Sequence, residues 1–275
     1  MSTTKPEIAR RITTGGLTTN YHDEGDGRPL ILLHGSGPGV TAWANWRLVI
    51  PQLSPSRRVI APDLVGFGYT ERPEGLRFTM DSWTAQVIDL MDALGIEKAD
   101  LVGNSFGGGL ALRLAIQHPD RVGRLVLMGS MGISFPITHG LDAVWGYTPS
   151  PENMLAVLDL FVDNKALATP DLANLRYEAS IQPGFQDAFA SMFPEPRQAG
   201  VESMASPEDA IGKIGNRTLI VHGREDQVIP LDNSFRLLQL IDDAQLHVFG
   251  HCGHWTQIEQ TDRFCGLVND FLSED

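Results

Sequence analysis

A serine set among glycines in the middle of the chain has the type and spacing of a nucleophile. The segment LVGNSFGGG, residues 101–109, places Ser105 two residues after Gly103 and two before Gly107. Glycine allows backbone angles and close approaches that other residues do not. An apolar run precedes the segment and a helical pattern follows it, which is the strand–turn–helix setting of a G-x-S-x-G nucleophile elbow. Because so short a pattern also occurs by chance, the hypothesis depends on what else the chain supplies.

A serine nucleophile needs a histidine as its base and an acid that orients the histidine. His254, in FGHCGHWTQIE, follows the last predicted strand, and His251 is the competing candidate three residues earlier. The segment HGREDQVIP offers Glu225 or Asp226 as the acid. We favour Asp226 because the apolar residues that follow it would hold it facing inward. Serine, acid and histidine then follow one another in the chain order typical of G-x-S-x-G hydrolases.

Acyl chemistry also needs backbone N–H groups directed at the oxyanion that develops. The loop HGSGPG, residues 34–39, follows a predicted strand and offers Ser36 N–H. Phe106 N–H, directly after the candidate nucleophile, is the second candidate donor. An ordinary glycine turn is the alternative for this loop, and His34 is predicted to brace it. A phosphate site is disfavoured because the loop lacks both the G-x-G-x-x-G spacing and the P-loop lysine.

Six short apolar segments alternate with helical patterns, which predicts an α/β fold with a mostly parallel central sheet and helices on both faces. The predicted strands are residues 30–35, 58–63, 99–104, 124–129, 218–223 and 245–250. Residues 82–95 have the pattern of an amphipathic helix that ends at Gly95, and Ser206 is expected to cap a helix beginning at Pro207. Parallel strands place their carboxyl ends at one edge of the sheet, so the candidate site residues should meet there.

The alternation is interrupted between residues 132 and 205, where helical segments and prolines occur and no buried strand is evident. A structureless loop of this length would be unusual. We therefore predict a helical lid at residues 132–205, lying over the sheet edge where open α/β sheets bind ligands. The core domain is then formed by two parts of the chain, residues 1–131 and 206–275.

Composition and charge exclude several classes of partner. The chain has 275 residues, of which 42% are hydrophobic, and a net charge of −13. This charge disfavours nucleic acid and anionic membranes as partners, so an anionic substrate would need a local cation. No apolar run approaches the length of a membrane span, and the N-terminus lacks the pattern of a signal peptide. Two cysteines, Cys252 and Cys265, favour a reduced cytoplasmic location over a disulfide framework.

Five segments together resemble the meta-cleavage product hydrolases, carbon–carbon bond hydrolases of the α/β-hydrolase superfamily from bacterial degradation of aromatic compounds. They are HGSGPGVTAWANWR, VIAPDLVGFGYTERP, LVGNSFGGG, HGREDQVIPL and LHVFGHCGHWTQIE, and the resemblance covers nearly the whole chain. It implies the α/β-hydrolase fold, no cofactor or metal, and a homo-oligomer. The implied substrate is a 2-hydroxy-6-oxohexa-2,4-dienoate, which is hydrolysed to 2-hydroxypenta-2,4-dienoate and a small carboxylic acid.

Within that family, the chain most resembles the branch that acts on monocyclic products. Ser36 stands where, as the resemblance has it, biphenyl-pathway members carry glycine, which argues against a large aryl ketone as the substrate. The family's carboxylate-binding positions fall on three residues, Asn104, Arg176 and Trp255. The pocket for the variable tail of the substrate falls on Leu141, Trp145 and Val228, for which an ordinary core role is nearly as well supported.

Two alternative functions stand beside this hypothesis. One is an ordinary carboxylesterase with the same triad, which would not need Arg176 and Asn104 to hold a carboxylate. The other is a non-catalytic ligand-binding member of the fold, and the presence of all three triad residues argues against it. Dehalogenases and epoxide hydrolases of this fold use an aspartate nucleophile, which Ser105 argues against. Whether Ser105 is acylated or positions a water is left open at this point.

Overall fold

Eight strands form one sheet at the centre of the molecule. The computed structural model describes residues 5–274, so the outermost residues of the two predicted core segments, 1–4 and 275, lie outside the described residues. The strands are β1 (Arg10–Thr14), β2 (Leu17–Glu24), β3 (Pro29–Leu33), β4 (Arg58–Pro62), β5 (Ala99–Asn104), β6 (Val122–Met128), β7 (Thr218–Gly223) and β8 (Ala244–Phe249). They lie in the order β1-β2-β4-β3-β5-β6-β7-β8. The pairs β1–β2 and β2–β4 are antiparallel and all other pairs are parallel, which confirms the predicted mostly parallel sheet.

Helices connect the strands and form the segment between β6 and β7. They are α1 (Ala42–Trp46), α2 (Ile50–Leu53), α3 (Met80–Ala93), α4 (Phe106–Gln117), α5 (His139–Trp145), α6 (Pro151–Phe161), α7 (Pro170–Ser180), α8 (Phe185–Met192), α9 (Gln198–Met204), α10 (Glu208–Ile211), α11 (Leu231–Leu240), α12 (Thr256–Glu259) and α13 (Thr261–Ser273). Two short 3-10 turns are at Pro119–Arg121 and Lys165–Leu167.

The inner part of the sheet, β3 to β7, is covered on both faces because these strands carry buried apolar residues on both faces. In β3, Ile31 and Leu33 belong to one hydrophobic core, whereas Leu30 and Leu32 belong to another on the opposite face. Successive side chains of a strand point to opposite faces, so a continuous apolar run requires a helix layer on each side. The two cores hold the sheet rigid, and its carboxyl edge is free to carry the site.

The six predicted strands agree with the structure within two residues at each end, but the hairpin of β1 and β2 was missed. These strands are polar and rich in threonine, and Thr13 Oγ1 and Thr18 Oγ1 are 2.9 Å apart across the hairpin. They pair antiparallel, with β1 as the mostly exposed edge strand. β2 lies inside the sheet and is buried from Thr19 to His22, but these residues are mostly polar, so neither strand has an apolar run. The other edge strand, β8, is only partly buried.

One helix boundary was predicted well and another was not. The helix expected at residues 82–95 is α3, which starts slightly earlier with a capping box of Thr79 and Ser82 and is followed by Gly95 at a φ of 67°. The predicted cap at Ser206 is wrong, because α10 begins at Glu208 and Pro207 takes the N-cap position. The Ser206 hydroxyl is buried and has no hydrogen-bond partner among the described residues.

The segment between β6 and β7 is helical and touches the carboxyl edge of the sheet at two places. The described part of residues 132–205 contains α5 to α9 and no strand. A Cβ added to Gly39, in the loop after β3, would lie 2.6 Å from Ser180 N at the end of α7. Trp255 N, in the loop after β8, donates to Phe161 O at the end of α6 over 3.0 Å. These contacts bring the helices against the two loops that carry candidate site residues.

Candidate active site

Ser105 occupies the tight turn between β5 and α4. Its backbone angles are a φ of 54° and a ψ of −114°, in the left-handed half of the map that non-glycine residues rarely adopt. A Cβ on Gly103 would lie 2.3 Å from Gly107 O, and a Cβ on Gly107 would lie 2.2 Å from Leu33 O. Neither position has room for a side chain. Both glycines around Ser105 are therefore required by the turn itself, which holds the buried serine at the sheet edge.

His254 and Asp226 form a short contact beside this turn. His254 Nδ1 lies 2.7 Å from Asp226 Oδ2, and the two side chains are 3% and 1% exposed. Asp226 Oδ1 accepts hydrogen bonds from Val228 N at 2.7 Å and Ile229 N at 2.9 Å. Burial alone would raise the pKa of the Asp226 carboxyl, but the charge of His254 and the hydrogen bonds from the neighbouring histidines hold it well below its ordinary value. Asp226 is thus ionised and can hold His254 in one orientation.

A second buried histidine contacts the same carboxylate, and the sequence analysis did not identify it. His222 Nε2, on β7, is 3.2 Å from Asp226 Oδ2 and 3.0 Å from Ile229 O. A carbonyl oxygen only accepts, so His222 Nε2 carries the proton and can donate to both oxygens. His222 Nδ1 then accepts from Ser234 Oγ over 2.6 Å. This chain fixes the tautomer of a fully buried histidine and gives Asp226 a further donor.

Glu225 and His251, the competing candidates for the acid and the base, lie outside this pair. Glu225 does not contact His254, since its carboxylate accepts from Cys252 N at 3.0 Å and from Arg224 Nε at 2.8 Å. It therefore supports the loop that carries the histidine. His251 is exposed and has a φ of 54°. The geometry thus pairs Asp226 with His254 and gives neither Glu225 nor His251 a place in this pair.

The loop after β3 lies next to Ser105 and is held by His34. His34 Nδ1 is 2.8 Å from Gly35 O, and Leu64 N donates to His34 Nε2 over 2.9 Å. Burial lowers the pKa of His34 to about 4, so the ring is neutral and acts as a brace. Neither Ser36 N nor Phe106 N has a hydrogen-bond acceptor among the residues that the structure describes. Both N–H groups are free to bind an oxygen atom.

A cavity of about 280 Å³ connects these groups with the helices above the sheet. Its wall includes Ser36, Asn104, Ser105, Arg176, His254 and Trp255. Its apolar part includes Leu141, Val228, Met154, Val157 and Leu158. Of the predicted tail-pocket residues, Leu141 and Val228 thus line the cavity. Trp145 lies behind the wall that the described residues form, where its indole Nε1 donates to Ser36 Oγ over 3.1 Å and its ring stacks on Phe193 at 4.4 Å.

The cavity wall contains two arginines, of which only Arg176 was predicted from the sequence. Arg47, at the end of α1, also lines the wall, and both side chains are half-buried. Burial, and then the charge of Arg47, lower the pKa of Arg176 to about 10, so Arg176 stays charged at neutral pH. The segment WANWR was part of the family resemblance, but nothing in its residue types separates Arg47 from a surface arginine.

Several amide side chains in the cavity wall lack hydrogen-bond partners among the described residues. Asn104 Nδ2, Asn45 Nδ2 and both amide atoms of Gln257 are buried without a hydrogen-bond partner among the described residues. Buried polar groups in folded proteins are nearly always paired, so an unpaired cluster in a cavity wall indicates a missing ligand. Two cations and several amides favour an anionic ligand rich in oxygen. Across the described part of the chain, no group of three or more His, Cys, Asp or Glu residues could hold a metal ion.

The geometry is that of a hydrolytic site whose wall also carries arginines and amides that can bind an anion. It combines a serine on a strained turn, a histidine oriented by a buried carboxylate, and two free N–H groups beside them. These are the elements needed for nucleophilic attack on a carbonyl carbon and for stabilising the oxyanion that results. Among the described residues, no helix is long and apolar enough to cross a membrane.

Comparison with known proteins agrees with this arrangement. The family model described as alpha/beta hydrolase fold matches residues 28–261. The 2-hydroxymuconate semialdehyde hydrolase of Pseudomonas sp. strain CF600 is 61% identical over 269 residues, which cover 98% of this chain and 95% of that protein. The 2-hydroxy-6-oxo-2,4-heptadienoate hydrolase of Pseudomonas putida is 58% identical over 273 residues, with 99% of both chains covered.

A solved structure is similar over almost the whole length. It is a meta-cleavage product hydrolase from Pseudomonas fluorescens IP01, a mutant complexed with acetates. It superposes with a TM-score of 0.97 at 61% identity and covers 98% of each chain. The fold, the matched length and the identity together confirm the resemblance found in the sequence. The chain belongs to the α/β-hydrolase fold family and, within it, to the meta-cleavage product hydrolases.

Proposed function

We propose that the protein hydrolyses a carbon–carbon bond in a 2-hydroxy-6-oxo-2,4-dienoate formed by ring fission of a monocyclic aromatic compound. The products are 2-hydroxypenta-2,4-dienoate and a small carboxylic acid. The observation that carries this proposal is the mixed polarity of the cavity wall, which combines two arginines and several amides with a group of apolar side chains and includes Ser105 and His254. A dienoate has the same polarity, since its carboxylate and its ketone tail lie at opposite ends.

The polar and the apolar lining residues have separate roles in this proposal. Arg176 binds the substrate carboxylate with its planar guanidinium, and Asn104 and Trp255 complete the contact. Leu141 and Val228 contact the tail. Ser36, which lines the cavity and accepts from Trp145 Nε1, takes the place of a glycine in the biphenyl-pathway members and favours a hydrogen or methyl tail over an aryl ring, as the family resemblance implies.

The reacting groups divide the chemistry between them. His254, held by Asp226, moves the proton that converts the dienol to its keto tautomer and then activates Ser105 or a water. The nucleophile attacks the ketone carbon, and Ser36 N–H and Phe106 N–H hold the oxyanion. The carbon–carbon bond then breaks because the leaving carbon is stabilised as an enolate. No cofactor or metal takes part in these steps.

The experiment compares the kcat/KM of the wild-type protein for two substrates, a dienoate and an ester. We expect the wild-type protein to bleach a yellow 2-hydroxy-6-oxo-2,4-dienoate with an aldehyde or methyl ketone tail, and to cleave a small nitrophenyl ester with a much lower kcat/KM. Ser105→Ala should stay folded and lose dienoate turnover by about 10⁴-fold or more, as in other triad enzymes. A higher kcat/KM for the ester would instead favour a carboxylesterase.

Three further features belong to the same proposal. The helices between residues 132 and 205 act as the lid that separates the substrate from water, and the core is formed by residues 1–131 and 206–275. The protein is a cytoplasmic homo-oligomer, as the family resemblance implies, and partners with neither nucleic acid nor a membrane. Sedimentation of the purified protein at one chain mass would contradict the oligomer.

A further inference from the structure

Arg47 is a half-buried cation in the cavity wall that has no role in the proposed function. Its guanidinium is fixed, since Nη1 donates to Ala44 O over 2.8 Å. The short helix α1 that carries it is anchored at its start by two hydrogen bonds. Ala42 N donates to the buried Asp63 Oδ1 at 2.6 Å, and Ala44 N donates to Thr41 Oγ1 at 2.9 Å. Arg47 is therefore held in the cavity wall rather than extended into solvent.

No carboxylate neutralises either of the two cavity arginines within the described residues. The bond to Ala44 O is the one hydrogen bond of Arg47 there, and Arg176 forms no ion pair. Glu7 acts on both only at longer range. Two like charges that face one cavity destabilise each other, and a ligand with two negative centres would relieve the repulsion. The carboxylate of the dienoate accounts for one of these centres.

The chemistry of the reaction supplies the second centre. In the keto tautomer the 2-carbon is a ketone, carbons 3 and 4 share a double bond, and carbon 5 is bonded to the acyl carbon 6. When the bond between carbons 5 and 6 breaks, its electron pair stays on carbon 5 and is delocalised through the double bond onto the 2-oxygen. Water supplies hydroxide to carbon 6, giving the carboxylic acid, and a proton to the dienolate, giving 2-hydroxypenta-2,4-dienoate.

We propose that Arg47 stabilises the negative charge that develops on the 2-oxygen during bond cleavage, while Arg176 binds the neighbouring carboxylate. The 2-oxygen is attached to the carbon next to the carboxylate, so a ligand held by Arg176 brings it to the same end of the cavity. This inference rests on the proposed function. It makes Arg47 a catalytic residue whose contact strengthens as the charge forms, which raises kcat rather than affinity.

The test separates binding from bond cleavage. Single-turnover cleavage of the dienoate, followed by the appearance of 2-hydroxypenta-2,4-dienoate, is compared in wild type, Arg47→Met and Arg47→Lys. The dienoate Kd is measured by titration in the Ser105→Ala background with and without Arg47→Met. Lys213→Met is the matched control, because it removes one positive charge from a side chain that is 78% exposed and does not line the cavity.

We expect Arg47→Met to slow cleavage by about 10²-fold, the effect of removing one donor to a developing oxyanion. The Kd should change by less than about threefold, because the charge is absent from the ground state. Arg47→Lys should recover most of the rate, and Lys213→Met should cleave the dienoate as fast as wild type. Hydrolysis of a neutral ester should be unchanged in these three variants, all of which keep Ser105.

Three results would overturn the inference. An unchanged cleavage rate with a weakened Kd would make Arg47 a ground-state binding residue. Equal losses on the dienoate and the ester would make it a structural residue. An Arg47→Lys variant as slow as Arg47→Met would rule out a role for the charge. Failure of the wild-type protein to consume the dienoate is a separate result, since it overturns the proposed function before any variant is compared.

Discussion

The two ends of the active-site region differ in how far the protein satisfies its own polar groups. At the acid–base end, formed by Asp226, His222 and His254, nearly every donor and acceptor has a partner within 3.2 Å. At the cation end, formed by Arg47, Arg176 and Asn104, the arginines lack carboxylates and the amide nitrogen lacks an acceptor among the described residues.

The first kind of group must be oriented before the substrate arrives. The second kind obtains its missing hydrogen bonds and ion pairs from the substrate. A base is efficient only when its tautomer and direction are fixed in advance, so the protein provides all the bonds around Asp226. A binding group gains nothing from an internal partner, because the substrate would have to displace it. Substitutions at the acid–base end should therefore affect every substrate, and those at the cation end should affect only anionic ones.

The largest effect is expected at the acid–base end. Asp226→Asn should lower kcat for both the dienoate and a neutral ester by about 10⁴-fold, because the amide no longer holds His254 in the correct tautomer. Glu225→Gln is the matched control and should cost less than about tenfold, since Glu225 supports the loop without touching His254. Steady-state kinetics of both folded variants measure this. A more severe loss in Glu225→Gln would assign the orienting role to Glu225.

A smaller and selective effect is expected at the cation end. Arg176→Gln should reduce kcat/KM for the dienoate by about 10²-fold, the result of losing a charge-assisted carboxylate contact worth a few kcal/mol. Hydrolysis of a neutral ester should change little because the triad is untouched. Both substrates are measured on one folded variant. Equal losses on the two would show that Arg176 supports the structure, and the contrast between the two ends would then be wrong.

The smallest effect is expected for His222, whose Nε2 contacts the Asp226 carboxylate. His222→Leu should lower kcat by about tenfold with little change in KM, because Asp226 loses a donor worth 1–2 kcal/mol. His222→Gln should recover part of the rate, since its amide N–H can take the position of His222 Nε2. Thermal unfolding identifies a variant that is merely unstable. A wild-type kcat in His222→Leu would show that the remaining bonds orient Asp226 alone.

Much of the fold and of the acid–base end was predictable because local sequence determines them. Continuous runs of Val, Ile and Leu predict strands buried on both faces, and the alternation with helical patterns predicts their parallel order. The glycines around Ser105 indicate the elbow, since no side chain fits at Gly103 or Gly107. The β1–β2 hairpin was missed because β1 is an exposed edge strand and the buried residues of β2 are mostly polar, so the hairpin has no apolar run and resembles a loop.

The sequence by itself therefore determined the α/β fold, the family and the positions of Ser105, Asp226 and His254 along the chain, because each depends on residues within a few positions of one another. The tertiary structure decided which polar groups meet across the sheet edge. It placed His222 on Asp226, moved Trp145 behind Ser36, and brought Arg47 from α1 opposite Arg176 from α7. The Trp145–Ser36 bond and the approach of Arg47 to Arg176 join segments more than 100 residues apart. The His222–Asp226 contact joins a strand to the loop after it and depends on how that loop folds back. The energies of these interactions arise only on folding, because burial removes the water that would otherwise screen the charges.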